Sequence, residues 1–142
     1  MANRKRKWIY APSKAKQPKP KVPEPTKALI QQQFDELIES CYKPRYLNPP
    51  RPDSSFSSLT DIFGKWYRNY FYICGMHTRS EDDESSQTQE FRFARYEYVG
   101  PDQFNIAYMR HTGQWWQIGS DRTLEQCLHE ARINEILHPF SL

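Results

Sequence analysis

Leu29, Ile30, Phe34, Leu37, Ile38 and Cys41 recur at three- and four-residue spacing, which makes one apolar stripe along a helix from about Lys27 to Tyr42. Thr26, just after Pro25, reads as its N-cap and Pro44 as its stop. The following "KPRYLNPPRPDSS" has four prolines between positions 44 and 52 and reads as an extended connector. Beyond it the apolar period falls from three or four to two. "LTDIF" through Gly64 and "YFYICGMH" flank "KWYRN" and predict a hairpin around residues 59–77. "FRFARYEYV" places Ala94, Tyr96 and Tyr98 on one face with Arg92 beside them, and "GPDQ" is turn chemistry. "FNIAYMR" alternates Phe104, Ile106 and Tyr108 against Ala107 and Met109. "HTGQ" then reverses the chain into "WWQIG", with Gly113 able to take the positive φ of a short hairpin. In "TLEQ", Thr123 and Gln126 form a capping box for a closing helix that buries Leu124, Cys127, Leu128 and Ala131 and that Pro139 stops.

These elements predict an α+β fold. An antiparallel meander of four to five strands carries an N-terminal and a C-terminal helix on one face. Residues 26–142 form this single domain, interrupted by a solvated acidic loop over about 79–90 that contains "SEDDESSQTQ". Residues 1–25 precede it as a disordered, polyproline-like arm, because alternating Lys and Pro in "KQPKPKVPEP" repels itself and prevents regular hydrogen bonding. Aromatics make up 15% of the chain, so the core is to be built mainly from Phe, Tyr and Trp.

Charge divides the chain in the same place. Residues 1–27 carry nine Lys and Arg against one acid, whereas the remainder carries eleven against sixteen. The net +3 is therefore a mildly acidic body with a strongly basic tail, a tether for polyanions. Three cysteines, Cys41, Cys74 and Cys127, form no even set and no C-x-x-C pair, and read as buried thiols in a reducing cytoplasm. The longest uncharged run, "NYFYICGMHT", is too short to span a membrane. No apolar segment follows the N-terminal charges, and five prolines in residues 12–25 oppose a transit helix.

The motifs "YMRHTGQWW" and "TLEQCLHEA" resemble a small bacterial family of unknown function, in which a leading helix and a proline-rich connector precede an antiparallel meander and a closing helix. The resemblance covers roughly residues 28–137. It implies the architecture and no activity; the doubled tryptophan and the long acidic loop depart from the family's pattern.

Most chemistries lack their residues. Cys74 and His77 fall on opposite faces of a strand, and His129 has no partner at i+4, so no metal site is expected. The five glycines make no phosphate or dinucleotide cradle, no nucleophile elbow occurs, and no cofactor is expected. A small nuclease would need Asp61, Glu97, Asp102, Arg110 and His111 to converge, and nothing in their spacing couples a nucleophile to a base. The reading is a non-enzymatic accessory or adaptor module that associates with nucleic acid or a nucleoprotein. Contacts come from Arg4, Lys5, Arg6, Lys7, Lys14, Lys16, Lys19 and Lys21 on phosphates, with Trp8 and Tyr10 for stacking. A sheet face with Tyr96, Tyr98 and Arg92, or with Trp66, Tyr67 and Arg68, would add a stacking platform. Trp115 and Trp116 must point oppositely, and the exposed one, beside Arg110 and His111, is the body residue to test for a contact. The alternative is a protein-interaction or assembly domain that docks a partner on the aromatic sheet face; a nuclease-like enzyme comes third.

Overall fold

The computed structural model describes residues 20–47, 58–79 and 87–139. The expected acidic loop falls largely in 80–86 and most of the connector in 48–57, and these segments and residues 1–19 of the expected arm lie outside the described residues.

Helix α1 runs over Glu24–Leu37 and begins before the expected Lys27, with Pro23 rather than Thr26 at the N-cap position. Pro25 does not delay it, because a first-turn proline gives up an N–H that has no intrahelical partner anyway. Ile30, Phe34 and Leu37 are buried, but Leu29 is 48% exposed and lies off the stripe. Pro44 does not end the helical path either. The chain widens into one π-helical turn, Ile38–Tyr42, and continues as the four-residue α2, Lys43–Tyr46. Pro44 occupies the first turn of α2, directly after that π-helical turn.

Five strands follow: β1 Ser58–Tyr67, β2 Tyr70–Arg79, β3 Gln87–Gly100, β4 Gln103–Met109 and β5 Trp115–Arg122. Their order in the sheet is their order in the chain, and every pair is antiparallel. Arg68–Asn69 turn β1 into β2, with Tyr67 opposite Tyr70. At the β4–β5 turn Arg110 N donates to Gln114 O and Gly113 adopts φ 85. Helix α3, Leu124–Ile133, starts with the capping box: Gln126 N donates to Thr123 Oγ1 at 3.1 Å and Thr123 N to Gln126 Oε1 at 2.9 Å. Asp102, in the β3–β4 turn, accepts from Leu124 N at 2.8 Å and so ties that turn to the helix. The helix ends at Ile133, well before Pro139, because Asn134 leaves helical geometry and opens a short 3₁₀ turn over Glu135–Leu137.

The helices cover one face of the sheet. Phe34 of α1 lies 4.7 Å from the Tyr96 ring and 5.2 Å from Phe71 (centroid distances). Around it are the buried Ile62, Ile73, Phe93, Ala94, Tyr98, Phe104, Ile106, Cys127 and Ala131. Polar ties fix the helices in register: Trp66 Nε1 donates to Lys27 O at 3.1 Å and Gln31 Nε2 to Gly64 O at 3.0 Å. Tyr42 Oη and His138 Nε2 both reach Ala131 O, at 2.7 and 2.8 Å, while the His138 Nδ1 pairs with the Tyr46 hydroxyl. A carbonyl oxygen can only accept, so His138 Nε2–H donates to Ala131 O. The body reaches back to Val22, which is 2% exposed within the core.

Candidate nucleic-acid interface: the open face of the sheet

Strand alternation sends Tyr67 of β1, Tyr70 and Tyr72 of β2, Arg92 and Arg95 of β3 and Trp115 of β5 to the face that neither α1 nor α3 covers. There they form one connected layer of rings and guanidinium groups. Arg92 lies 4.4 Å from the Tyr72 ring centroid. Arg95 is 4.9 Å from both the Tyr70 and the Trp115 ring, and so sits between them. The Tyr70–Tyr72 and Tyr72–Trp115 centroids are 5.9 and 5.7 Å apart. Tyr72 is thereby only 6% exposed and Cys74 fully buried, although neither α1 nor α3 lies over them. Burial pushes the Cys74 thiol up to about 11, so it is a packing group rather than a nucleophile.

Arg95 carries a second feature. Its Nε–H is buried and, among the described residues, has no hydrogen-bond partner. A buried guanidinium donor without an acceptor is costly, and an anionic oxygen is the acceptor that suits it best. The layer also contains acids: Glu90 pairs with Lys65, and Glu97 approaches Asn69 Nδ2 at 3.5 Å.

The sequence-derived contacts separate into three groups. Arg4 to Lys19, with Trp8 and Tyr10, lie outside the described residues; Lys21 is described and exposed. Arg110 and Trp116 come together, the guanidinium 4.7 Å from the ring, and His111 is exposed in the adjoining turn. Trp116 is the exposed tryptophan, at 52%, but it shares its face with Tyr108 at the edge of the helix-covered side. Trp115 belongs instead to the opposite, open face. The four body residues thus serve two surfaces.

Of the residues expected to offer a stacking platform, Tyr67 lies on the open face, but the others do not all join it. Tyr96 and Tyr98 are buried under the helices, and Trp66 is half-buried against Lys27. Arg92 does not share their side, because the strand pairing shifts between Ile73 and Cys74 and leaves Phe93 as an extra residue. Tyr70, Tyr72 and Arg95 went unnoticed as contacts. One signal pointed to them: in "YFYIC" the alternate residues Phe71 and Ile73 have no polar atom and belong in the core, which turns Tyr70 and Tyr72 outward.

The residues considered for a nuclease stay apart. Asp61 accepts from Ile62 N and lies 3.4 Å from Lys43 Nζ on edge strand β1. Asp102 and His111 occupy the turns at the two ends of β4, and Glu97 lies three residues before the end of β3. Among the described residues, no three His, Cys, Asp or Glu are grouped to hold a metal ion. No described helix is long and apolar enough to cross a membrane.

A family model for a domain of unknown function, DUF3024, matches residues 22–136. The chain belongs to the DUF3024 family. The match begins at Val22, the first core residue, and ends at Ile136, so the family domain is the helix–meander–helix body and its boundary excludes the basic arm. Nothing among curated proteins matches the chain, and no solved structure does.

Proposed function

We propose that this DUF3024 protein is a non-enzymatic module that associates with single-stranded nucleic acid or a nucleoprotein. The basic arm supplies phosphate contacts, and the open sheet face supplies stacking. The observation that carries this reading is Arg95, stacked between Tyr70 and Trp115 with a buried Nε–H that lacks an acceptor. Aromatic rings stack bases of any sequence, and arginine pairs with phosphate or stacks in turn. The helices cover one side of the sheet, and an extended strand would lie along the other.

The test is fluorescence anisotropy of the full chain with a labelled single-stranded oligonucleotide of roughly 16 nucleotides. Salt-sensitive binding that Tyr70→Ala weakens supports the reading. Binding that is absent at about 50 mM salt, where phosphate contacts are strongest, rejects it.

A second reading rests on Glu90 and Glu97, which share the face with the arginines. Carboxylates repel phosphate, so the same layer also suits a protein partner with its own charged groups. Purification from native extract with and without nuclease separates the two. A co-purifying protein that survives nuclease treatment and is lost on Trp115→Ala favours the protein partner.

A further inference from the structure

We infer that the depression at the root of the arm, lined by Lys21, Lys27 and Arg68, is a phosphodiester site that leads a single strand from the arm onto the sheet face. This rests on the nucleic-acid reading above and names the body residues that make it continuous. Pro20, Lys21, Val22, Lys27, Arg68 and Asn69 enclose an open depression of about 400 Å³. Three cations face one space of a size that accepts a sugar and its phosphate. Glu24 reaches Lys27 at 3.6 Å but is itself 83% exposed, so it can swing aside. Among the described residues, Lys21 and Arg68 have no carboxylate within ion-pair distance.

The geometry of the β1–β2 turn supports a role for Arg68. Its φ is 54, a left-handed conformation that glycine or asparagine adopts more readily than arginine. The turn is also pinned from behind. Asn69 is buried, its carbonyl accepts from Tyr98 N at 2.8 Å, and its Nδ2 donates to Tyr98 O at 3.3 Å. A long cation therefore projects from a fixed, strained turn, where strain tends to accompany function. Arg68 lies 5.3 Å from the ring of Tyr67, which is 51% exposed. Tyr67 is directly opposite Tyr70, and Tyr70 leads through Arg95 to Trp115. From Lys21, where the described chain meets the arm, a row of cations and rings thus runs across the sheet. From β2 to β5 it covers three inter-strand spacings, about 14 Å.

The experiment uses the full chain and labelled single-stranded RNA and DNA of one sequence, titrated from about 50 to about 200 mM salt. The variant is Lys21→Gln/Lys27→Gln/Arg68→Gln. The control, Arg45→Gln/Arg122→Gln/Arg132→Gln, removes the same charge elsewhere, and circular dichroism checks that both fold. Losing three phosphate contacts lowers the slope of log affinity against log salt by about 2, equivalent to roughly 100-fold weaker binding at about 0.1 M salt, while the control keeps the wild-type slope. A variant that matches the control overturns the inference and leaves the nucleic-acid reading standing. A wild-type chain that binds neither RNA nor DNA overturns both.

Discussion

Replacing Trp115 and Trp116 by alanine, one at a time, separates the two faces of the sheet. Trp115 holds one aromatic neighbour, Tyr72 at 5.7 Å, and one guanidinium, Arg95 at 4.9 Å. An aromatic pair contributes about 0.5–1.5 kcal/mol and a cation–π contact about 0.5–1 kcal/mol. Trp115→Ala therefore costs about 1–2.5 kcal/mol of stability, and the helix-covered core, which the side chain does not enter, stays folded. A base that stacks on the ring contributes about 1–3 kcal/mol more, so single-strand affinity falls roughly 5- to 150-fold. Trp116 is 52% exposed, and its ring meets the Arg110 guanidinium on the other side of the sheet. Trp116→Ala costs less than about 1 kcal/mol and changes affinity by no more than about 3-fold. Guanidinium denaturation gives the stability of each variant and anisotropy its affinity. If Trp115→Ala loses the stability but binds as well as wild type, the open-face layer is structural only. A larger binding loss from Trp116→Ala would move the interface to the Arg110 edge.

Other parts of the fold give sharper tests of stability. A Cβ at Gly64 would stand 2.4 Å from the Phe71 ring, a wholly buried core group, so Gly64→Ala lowers stability by about 1–3 kcal/mol; a thermal midpoint equal to wild type would show that Phe71 can shift freely. Tyr42→Phe costs only about 0.5–1.5 kcal/mol, since Ala131 O keeps its bond from His138, whereas adding His138→Ala leaves that buried carbonyl bare and costs more than the two single changes together. The chain should also be labile to base. Burial pushes the Cys127 thiol up to about 12 and Cys74 to about 11, from an ordinary value of 9.0, and it raises Tyr42 and Tyr96 as well. The folded chain keeps these protons where the unfolded chain releases them, so this part of the stability is complete below about pH 9 and is lost as pH rises through 11 and 12. A urea midpoint that stays level between about pH 8 and about pH 11 would contradict it.

Much of this fold is visible in the sequence because local rules and tertiary packing agree along most of it. The period-two runs became strands, "GPDQ" and "HTGQ" became turns, and Thr123 with Gln126 made the capping box, because each signal depends on neighbours a few residues away. Helix ends were harder to place. Pro25 and Pro44 look like boundaries, yet Pro25 stands in a first turn where a missing N–H costs nothing, and the helical path passes Pro44 after a π-helical turn. The choice of sheet face was hardest. Tyr70 and Tyr72 alternate as regularly as Tyr96 and Tyr98, and tyrosine suits a core or a surface equally well. Only the placement of the helices decides which pair is covered.

The extra residue at Phe93 explains how β3 serves both sides. In an unbroken strand Arg92 would share the face of Ala94 and point beneath the helices, where an unpaired guanidinium cannot stay. The bulge lets Phe93 and Ala94 both enter the core, and Arg92 and Arg95, three apart in sequence, emerge together on the open face. There they shield Tyr72, Tyr70 and Trp115 from water in place of a third layer. Such a cover is exchangeable in a way that a packed helix is not. On the proposed reading, a base that takes Arg95's place on Tyr70 or Trp115 keeps the ring stacked, and the displaced guanidinium, its Nε–H no longer without an acceptor, turns to the adjoining phosphate. The same residues that cover this face are then the ones that hold the strand.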